Sequence, residues 1–314
     1  MELCNVRYKN KQGIRLRAAR LECIVLPDEG GKMVSLRERL SGEELLAQAE
    51  GGVYKELTFN GSYIDSECSA FDDLFPTVDP WYNGEREYAD HGEVCRLPNA
   101  YIIRNDGMAS LHLSVLSPFG DYVFRKSYKE LEDGLEIAYE AENIGGKPLK
   151  AIWASHLMLK AREGEAVTLS GDDAYEAEFM FCEDASVAQA GTVTKLGNGC
   201  ALLRSAPWSR DGNAYKFYIK KPYTGSFKYG NLTVRTENAD YLGIWINNGR
   251  FKGMYNVAAE FCTGAYDTPG KAEERGADVT IPKGGTRKWK LFLTASHEKD
   301  RRRPWNRQKE ERSL

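Results

Sequence analysis

The sequence predicts an all-β protein in which antiparallel strands form a sandwich or a barrel. Apolar residues recur at every second position in residues 110–115, 135–139 and 289–293, which is the pattern of half-buried strands. Turn sequences such as those at residues 105–107 (NDG) and 132–134 (EDG) separate strands of this kind. Helical periodicity is scarce, and many short strands with turns between them indicate antiparallel sheets.

We expect one domain to account for most of the chain. The 314 residues exceed the length of an average domain, but all-β sandwiches and barrels of this size commonly form one. The composition changes only after residue 297, where charged residues dominate to the end of the chain. The sequence therefore predicts a single domain at 1–297, followed by a solvated charged tail at 298–314.

The charge and the apolar pattern exclude several classes of protein. With 43 Lys and Arg against 46 Asp and Glu, the formal net charge is −3, so the chain lacks the positive field that binds nucleic acids or anionic membranes. No apolar run approaches the roughly 18 to 20 residues that span a bilayer. The N-terminus shows no signal in which basic residues precede an apolar run, so we expect a cytoplasmic protein.

Motifs for metals and organic cofactors are missing from the sequence. The seven cysteines are widely scattered without a Cys-x-x-Cys spacing, which favours free thiols over a disulfide framework or a zinc site. The sequence contains no G-x-G-x-x-G or Walker loop for a nucleotide. We therefore expect a protein that works without a metal or an organic cofactor.

Three polar residues occupy positions that suggest chemistry. His156 lies in the apolar run at 151–159, where it is either a hydrogen-bonded core histidine or a histidine directed into a cleft. Glu260 ends the uncharged run at 255–259, and a carboxylate there either lies at an exposed strand end or is paired and working. His91 lies in a turn-like stretch after an irregular segment rich in aromatics and proline, and such segments often line sites.

Five segments together resemble the galactose mutarotase-like superfamily, which contains the aldose 1-epimerases. The resemblance covers roughly residues 14–295, and it depends on the order and spacing of the segments. The segments are residues 30–36 (GGKMVSL), 75–77 (FPT), 91–93 (HGE), 153–156 (WASH) and the stretch from Trp245 to Glu260. The resemblance implies a large antiparallel β-sandwich that binds a sugar in a groove on its concave face.

The resemblance also implies two histidines and one glutamate as working residues, which match His91, His156 and Glu260. An aldose 1-epimerase interconverts the α and β anomers of a sugar by opening and reclosing its ring, which needs one base and one acid. Glu260 would then take the proton of the C1 hydroxyl, and His156 would supply a proton to the ring oxygen. His91 would steady the ring oxygen or a neighbouring hydroxyl.

Aromatic and planar polar side chains near these residues are the candidate sugar-binding groups, because a pyranose presents apolar C–H faces and a rim of hydroxyls. They are His91, Asp79, Trp81, Tyr82, Trp153, Trp245 and Asn247. Packing in the core is the alternative role of each tryptophan. A phosphorylated sugar would require a cluster of cations, for which the candidates are Arg86, Arg96, Arg125 and Lys126.

The chain departs from the better known galactose mutarotases near these positions. The asparagine-rich sequences that usually surround both histidines are missing, and Asn247 and Asn248 stand where those enzymes have an aspartate that grips substrate hydroxyls. The identity of the sugar is therefore left open. Two other functions are compatible with the sequence: a non-catalytic carbohydrate-binding sandwich, and an interaction protein that has this fold but no sugar site.

Overall fold

The computed structural model describes residues 1–105, 107–162, 164–171, 174–184, 188–200, 202–203 and 212–296. The predicted tail at 298–314 lies outside these residues. The described part of the chain is mostly strand, with one short α-helix, α1 (Pro269–Glu274), and one 3-10 turn (Val94–Arg96). No helix in that part is long and apolar enough to cross a membrane.

The alternating sequence patterns correspond to β-strands throughout. The first twelve strands are β1 (Glu2–Tyr8), β2 (Lys11–Arg17), β3 (Leu21–Leu26), β4 (Lys32–Glu38), β5 (Phe71–Leu74), β6 (Trp81–Tyr82), β7 (Glu87–Tyr88), β8 (Ala100–Arg104), β9 (Ser110–Leu116), β10 (Tyr122–Glu130), β11 (Gly134–Asn143) and β12 (Leu149–Lys150). The later strands are β13 (Ala154–Lys160), β14 (Val167–Leu169), β15 (Ala174–Cys182), β16 (Val193–Gly197), β17 (Ala214–Ile219), β18 (Phe227–Tyr229), β19 (Leu232–Glu237), β20 (Tyr241–Asn248), β21 (Tyr255–Cys262), β22 (Thr280–Ile281) and β23 (Thr286–Ala295).

Most of these strands belong to two antiparallel sheets that pack face to face. The large sheet has 11 strands in the order β1-β2-β3-β4-β5-β13-β21-β20-β17-β15-β16. The small sheet has 8 strands in the order β14-β18-β19-β23-β11-β10-β9-β8. Two short ribbons, β6 with β7 and β12 with β22, lie outside both sheets. The prediction of an all-β antiparallel sandwich is confirmed.

The hydrophobic core lies between the two sheets and is filled by the inward-facing side chains of their strands. Core residues that the alternation places there are Leu111, Leu113, Ile137 and Leu291. The rings of Trp153, which directly precedes β13, and of Trp289 from β23 lie 5.5 Å apart in this core. Trp245 is only partly buried and packs with Met158 on the opposite, open face of the large sheet. The strand periodicity therefore predicts most of the core.

Two adjacent aspartates of β5 are buried on opposite faces of the large sheet. Asp73 faces the core, where its Oδ2 atom lies 2.6 Å from Nζ of Lys126, and its Oδ1 atom accepts a hydrogen bond from Nε1 of Trp153 at 3.0 Å. Asp72 faces the open side, where its Oδ2 atom lies 2.5 Å from Nζ of Lys32. Because side chains alternate along a strand, each carboxylate needs its own buried lysine.

Replacing Lys126 by methionine should lower the free energy of unfolding by about 3 to 5 kcal/mol, because the carboxylate of Asp73 would stay buried without a cation. Lys129 lies on the same strand but is exposed, so Lys129→Met should change the free energy of unfolding by about 0.5 kcal/mol or less. Urea unfolding of both variants beside the wild type measures the difference. Equal stability of the two variants would contradict a structural need for this ion pair.

Candidate active site

A cavity of about 440 Å³ opens on the face of the large sheet that the small sheet does not cover. Side chains of β13, β17, β20 and β21 form its floor, and irregular segments that carry Tyr63, His91 and Phe251 form its sides. Small-molecule sites commonly have volumes of about 300 to 1,000 Å³, so a sugar fits this range. Another hollow, on the outer face of the small sheet, carries surface charges such as Arg125 and Glu140 that pair with each other.

Strand register aligns three polar side chains in one row on this face of the large sheet, and two of them, His156 and Glu260, line the cavity. The pairing of β13 with β5 sets His156 opposite Asp72. The pairing of β13 with β21 matches Leu157 with Ala259, which sets His156 opposite Glu260. Asp72, His156 and Glu260 form the polar row of this sheet face.

His156 and Glu260 are the two residues of the cavity best placed for acid–base chemistry. The Nε2 atom of His156 lies 3.9 Å from the Oε1 atom of Glu260, and their side chains are 9% and 1% exposed. This separation is longer than a direct hydrogen bond but leaves room for a hydroxyl oxygen that contacts both groups. The sequence left open whether either residue is structural, and the structure places both at the floor of one cavity.

Tyr63 fixes the orientation of the His156 ring through a hydrogen bond to Nδ1, the nitrogen that faces away from Glu260. The hydroxyl of Tyr63 donates a hydrogen bond to Oδ2 of Asp72 at 2.8 Å, and it lies 3.0 Å from Nδ1 of His156. Since Asp72 is ion-paired with Lys32, it accepts the single hydroxyl proton, and the hydroxyl oxygen must accept from Nδ1–H. We therefore infer that neutral His156 is protonated on Nδ1, so its bare Nε2 faces Glu260.

Burial shifts the pKa values of these two groups in opposite directions. Burial, with the charges of His91, Lys216 and Lys32, holds the pKa of His156 well below its usual 6.5. Burial also raises the pKa of Glu260 above its usual 4.5, even though the nearby charge of Lys216 acts to lower it. Both shifts disfavour the charged forms, so they make the imidazolium of His156 a stronger acid and the carboxylate of Glu260 a stronger base.

Lys216 of β17 holds the other oxygen of Glu260. Its Nζ atom lies 2.8 Å from Oε2 of Glu260 and 2.7 Å from Oδ1 of Asp267. Burial disfavours a charged lysine here, but the two carboxylates outweigh burial and raise the pKa of Lys216. Tyr218 also donates a hydrogen bond to Asp267 at 2.9 Å. The ion pair occupies Oε2 and leaves Oε1 directed at His156.

A glycine beside Glu260 makes room for this arrangement. Gly243 lies opposite Glu260 in the pairing of β20 with β21 and opposite Tyr218 in the pairing of β17 with β20. A Cβ atom on Gly243 would lie 2.9 Å from Cε1 of Tyr218, which is closer than atoms can pack. Only glycine lets the Tyr218 ring lie across the strand and reach Asp267.

His91 joins the same cavity from a tight turn. Its φ angle is 63°, in the left-handed region, and its backbone N–H donates to the carbonyl of Val78 at 2.6 Å. The His91 ring stacks on Tyr63 with a centroid separation of 3.7 Å, and its Nδ1 atom lies 2.9 Å from Oδ1 of Asp90. The centroid of the His156 ring is 5.3 Å away. The three predicted working residues thus come together in one cavity, and Tyr63 contacts both histidines.

Three other predicted residues also line this cavity: Asp79, Trp245 and Asn247. Burial and the charge of Asp267 raise the pKa of Asp79. The amide of Asn247 is already engaged, because it donates to the carbonyl of Phe251 at 3.0 Å and accepts from the N–H of Phe251 at 3.1 Å. Asn247 therefore shapes the turn between β20 and β21.

The structure places two predicted tryptophans and a tyrosine outside the cavity. Trp153 is completely buried between the two sheets. It lies three residues before His156, and an odd spacing along an extended chain directs side chains to opposite faces, so Trp153 as a sugar-binding residue is wrong. Trp81 belongs to the β6–β7 ribbon, where it stacks on Tyr88 at 5.6 Å, and Tyr82 of the same strand is mostly exposed. Both therefore lie away from the lining of the cavity.

The cations considered for a phosphorylated sugar also lie elsewhere. Arg86, Arg125 and Lys126 pair with carboxylates, while Arg96 donates to five backbone carbonyl groups. These four residues are not part of the cavity lining. Among the described residues, no group of three or more His, Cys, Asp or Glu side chains is arranged to hold a metal ion.

Sequence reasoning missed three residues of the site: Tyr63, Lys216 and Asp267. Lys216 could have been found, because it is the only charged residue of the strand Ala214–Ile219. A lone charged residue in an otherwise uncharged strand is also the pattern that indicated Glu260. Tyr63 and Asp267 lie in irregular segments whose pattern does not predict which way a side chain points.

Solved structures that are similar to this one include galactose mutarotase-like proteins. A protein from Synechocystis sp. PCC 6803 is 17% identical, with 93% of this chain and 100% of that chain covered and a TM-score of 0.64. A galactose mutarotase-like protein from Clostridium acetobutylicum is 14% identical, with 94% and 98% covered and a TM-score of 0.62. A galactose mutarotase related enzyme from Lactobacillus acidophilus is 13% identical, with 91% and 97% covered and a TM-score of 0.60.

No protein-family model matches this chain, and no curated protein matches it significantly. The structural likeness establishes that the chain has the galactose mutarotase-like fold, as the sequence resemblance implied. Because one fold hosts many functions, the function depends on the residues of this site.

The tautomer of His156 can be measured directly. In long-range ¹H–¹⁵N spectra at pH 7, we expect neutral His156 with its proton on Nδ1, and Tyr63→Phe should populate the Nε2–H tautomer because the acceptor for Nδ1–H is lost. Tyr82→Phe, which removes an exposed hydroxyl, is the control and should leave the spectrum of His156 unchanged. An Nε2–H tautomer in the wild type would contradict the hydrogen-bond assignment.

Proposed function

We propose that this protein is an aldose 1-epimerase, which interconverts the α and β anomers of a hexose or related sugar by acid/base ring opening. The observation that carries the proposal is the pair of His156 and Glu260, 3.9 Å apart at the floor of a cavity of sugar size. The fold supports the proposal, since structures with the same fold include a galactose mutarotase related enzyme. The substrate is a small sugar, and the reaction requires only proton transfers.

The chemistry follows from the one proton that the pair shares. The C1 hydroxyl gives its proton to the Glu260 carboxylate, the bond between C1 and the ring oxygen breaks, and C1 becomes an aldehyde carbon. The ring oxygen takes the proton of Nε2 from the cationic form of His156. This form is the minor one at pH 7, and its lowered pKa makes it a strong acid toward the ring oxygen. Rotation about C1–C2 and the reverse transfers close the ring in the other anomeric form. Each group gives back what it took, so the enzyme returns to its starting state.

The surrounding residues have roles that suit this reaction. Tyr63 keeps Nδ1 occupied, so Nε2 is the nitrogen that exchanges its proton with the sugar. Lys216 keeps Oε2 occupied and leaves Oε1 for the C1 hydroxyl. His91 and Asp79 border the cavity as hydrogen-bonding partners for sugar hydroxyls, and Trp245 offers an apolar surface for the C–H face.

One observation favours a second candidate, a non-catalytic carbohydrate-binding protein. The ion pair of Glu260 with Lys216 at 2.8 Å stabilises the carboxylate and makes it a weaker base. In that case the cavity would bind a sugar, and His156 would serve only as a hydrogen-bonding partner. The two functions differ in the effect of removing the charge of Glu260.

Replacing Glu260 by glutamine keeps the size of the side chain but removes its ability to take a proton. If Glu260 is the base, Glu260→Gln should slow anomer interconversion by about 10²-fold or more while sugar affinity changes only a few-fold. His156→Asn should behave in the same way. Polarimetry of freshly dissolved α-D-glucose and α-D-galactose gives the rate, and calorimetric titration of the same preparations gives the affinity.

Glu237→Gln is the matched control, because Glu237 is an exposed residue of the small sheet, and it should leave the rate unchanged. An unchanged rate in Glu260→Gln would remove Glu260 from the mechanism. Sugar binding by a wild type that accelerates no anomerisation would instead support the non-catalytic binding protein.

The charge of Lys216 should set the pH range of activity. A nearby cation disfavours protonation, so Lys216→Gln should raise the pKa values of both His156 and Glu260. Both limbs of the pH profile of kcat/KM should therefore move to higher pH. Lys220→Gln, at a partly exposed position just after β17, is the control. A profile unchanged in Lys216→Gln, or moved to lower pH, would contradict this electrostatic role.

A further inference from the structure

A second set of side chains lies beside the polar row on the same face of the large sheet. Met158, Ala258 and Trp245 are paired across β13, β21 and β20. Each lies two residues along its strand from the row that contains His156 and Glu260, which corresponds to about 6.8 Å. A ligand held at the polar row therefore extends over these apolar residues if it is longer than one sugar ring.

Aromatic and methionine side chains, of which all but Met158 are partly buried, enlarge this surface into a wall of the cavity. The ring of Trp245 lies 5.8 Å from that of Phe181 and 5.4 Å from that of Phe251. The apolar wall is Met158, Met180, Phe181, Trp245, Phe251 and Met254, and all six residues line the cavity. Three of the six methionines of the chain are therefore gathered at one site, where their flexible thioethers can adapt to an apolar ligand.

The charges of the cavity disfavour a phosphate group. Four carboxylates line it, those of Asp79, Asp90, Glu260 and Asp267, against the lysines Lys216 and Lys252. Lys216 is already shared by two of these carboxylates. Lys252 donates a hydrogen bond to the carbonyl of Ser66 at 2.8 Å. Electrostatic repulsion would therefore weaken the binding of a phosphate dianion, whereas an uncharged substituent would not be repelled.

One polar atom beside the apolar wall has no hydrogen-bond partner in the described part of the chain. Asn256 is two residues from Ala258 on β21, lines the cavity and is 1% exposed. Its Oδ1 atom has no hydrogen-bond partner among the described residues. A buried amide oxygen of this kind is stabilised when a ligand supplies a donor such as a hydroxyl group. Asn256 therefore indicates that ligand atoms bind at the end of the cavity that is distant from Glu260.

We propose that the substrate is a hexose that carries an apolar alkyl or aryl substituent, and that the apolar wall binds this substituent while the polar row holds the hemiacetal. This inference rests on the proposed function, since it places C1 of the sugar between His156 and Glu260. Packing of an apolar group against the wall removes apolar surface from water on both sides, which is the source of the selectivity.

A second pyranose ring is the competing occupant of the same space. A pyranose carries a rim of hydroxyls, and each hydroxyl that leaves water needs a partner. Of the amides there, Asn256 has an unengaged oxygen, whereas the amide of Asn247 is bonded to Phe251. The apolar wall offers six apolar side chains, whereas the amides beside it offer one unengaged oxygen for hydroxyl groups. This lining therefore favours an apolar substituent over a second sugar.

Matched pairs of sugar ethers test this inference by calorimetric titration. The probes are the hexyl and methyl ethers at O4 or O6 of D-glucose and of D-galactose, all of which keep a free hemiacetal. At one position at least, the hexyl ether should bind about tenfold or more tightly than its methyl counterpart, because of the additional buried CH₂ groups. Trp245→Ala should reduce that ratio to about threefold or less. Phe119→Ala, which truncates an exposed aromatic residue outside the cavity, should preserve it.

Each outcome decides one question. Hexyl ethers that bind no more tightly than methyl ethers would overturn the inference, as would maltose or melibiose binding more tightly than every hexyl ether. A ratio that survives in Trp245→Ala would also overturn it. Binding does not depend on turnover, so polarimetry of the same ethers separates the two claims. Preferential binding of the hexyl ethers without anomerisation would contradict only the proposed function. Anomerisation without preferential binding of the hexyl ethers would contradict only this inference.

Discussion

The ion pair between Asp72 and Lys32 determines how the candidate site is organised. A buried carboxylate paired with a lysine accepts hydrogen bonds and donates none, so the hydroxyl proton of Tyr63 goes to Asp72. The Tyr63 oxygen must then accept from Nδ1 of His156, which directs the bare Nε2 atom at Glu260. A lysine at the start of β4 thereby sets the protonation of a histidine two strands away in the sheet.

The fold could be predicted because strand periodicity and turn chemistry are local signals. Alternation at residues such as Leu111 and Leu113 predicted both the strands and the side that faces the core. Two of the residues that the resemblance singled out, His156 and Glu260, also broke an apolar pattern. A charged or titratable residue inside a buried strand requires a partner, so such a break stands out in the amino-acid sequence alone.

The rest of the site depends on contacts that no local pattern encodes. Tyr63 reaches both histidines from an irregular segment, and only the folded chain reveals that its hydroxyl lies between His156 and Asp72. Trp153 was misassigned because it is near His156 in sequence, although their odd spacing places the two side chains on opposite faces of the large sheet. Counting whether the spacing from His156 is odd or even would have placed Trp153 correctly. Placing Tyr63 requires contacts between distant parts of the chain, which the sequence pattern does not contain.

A crystal structure of the Glu260→Gln variant with a bound hexose tests the central claim most directly. The variant should retain the sugar while preventing turnover. We predict that the C1 hydroxyl oxygen and the ring oxygen lie within roughly 3 Å of residue 260 and of Nε2 of His156, one at each group. A sugar bound in the cavity with C1 beyond the reach of both groups, or a sugar bound elsewhere on the protein, would contradict the proposed mechanism.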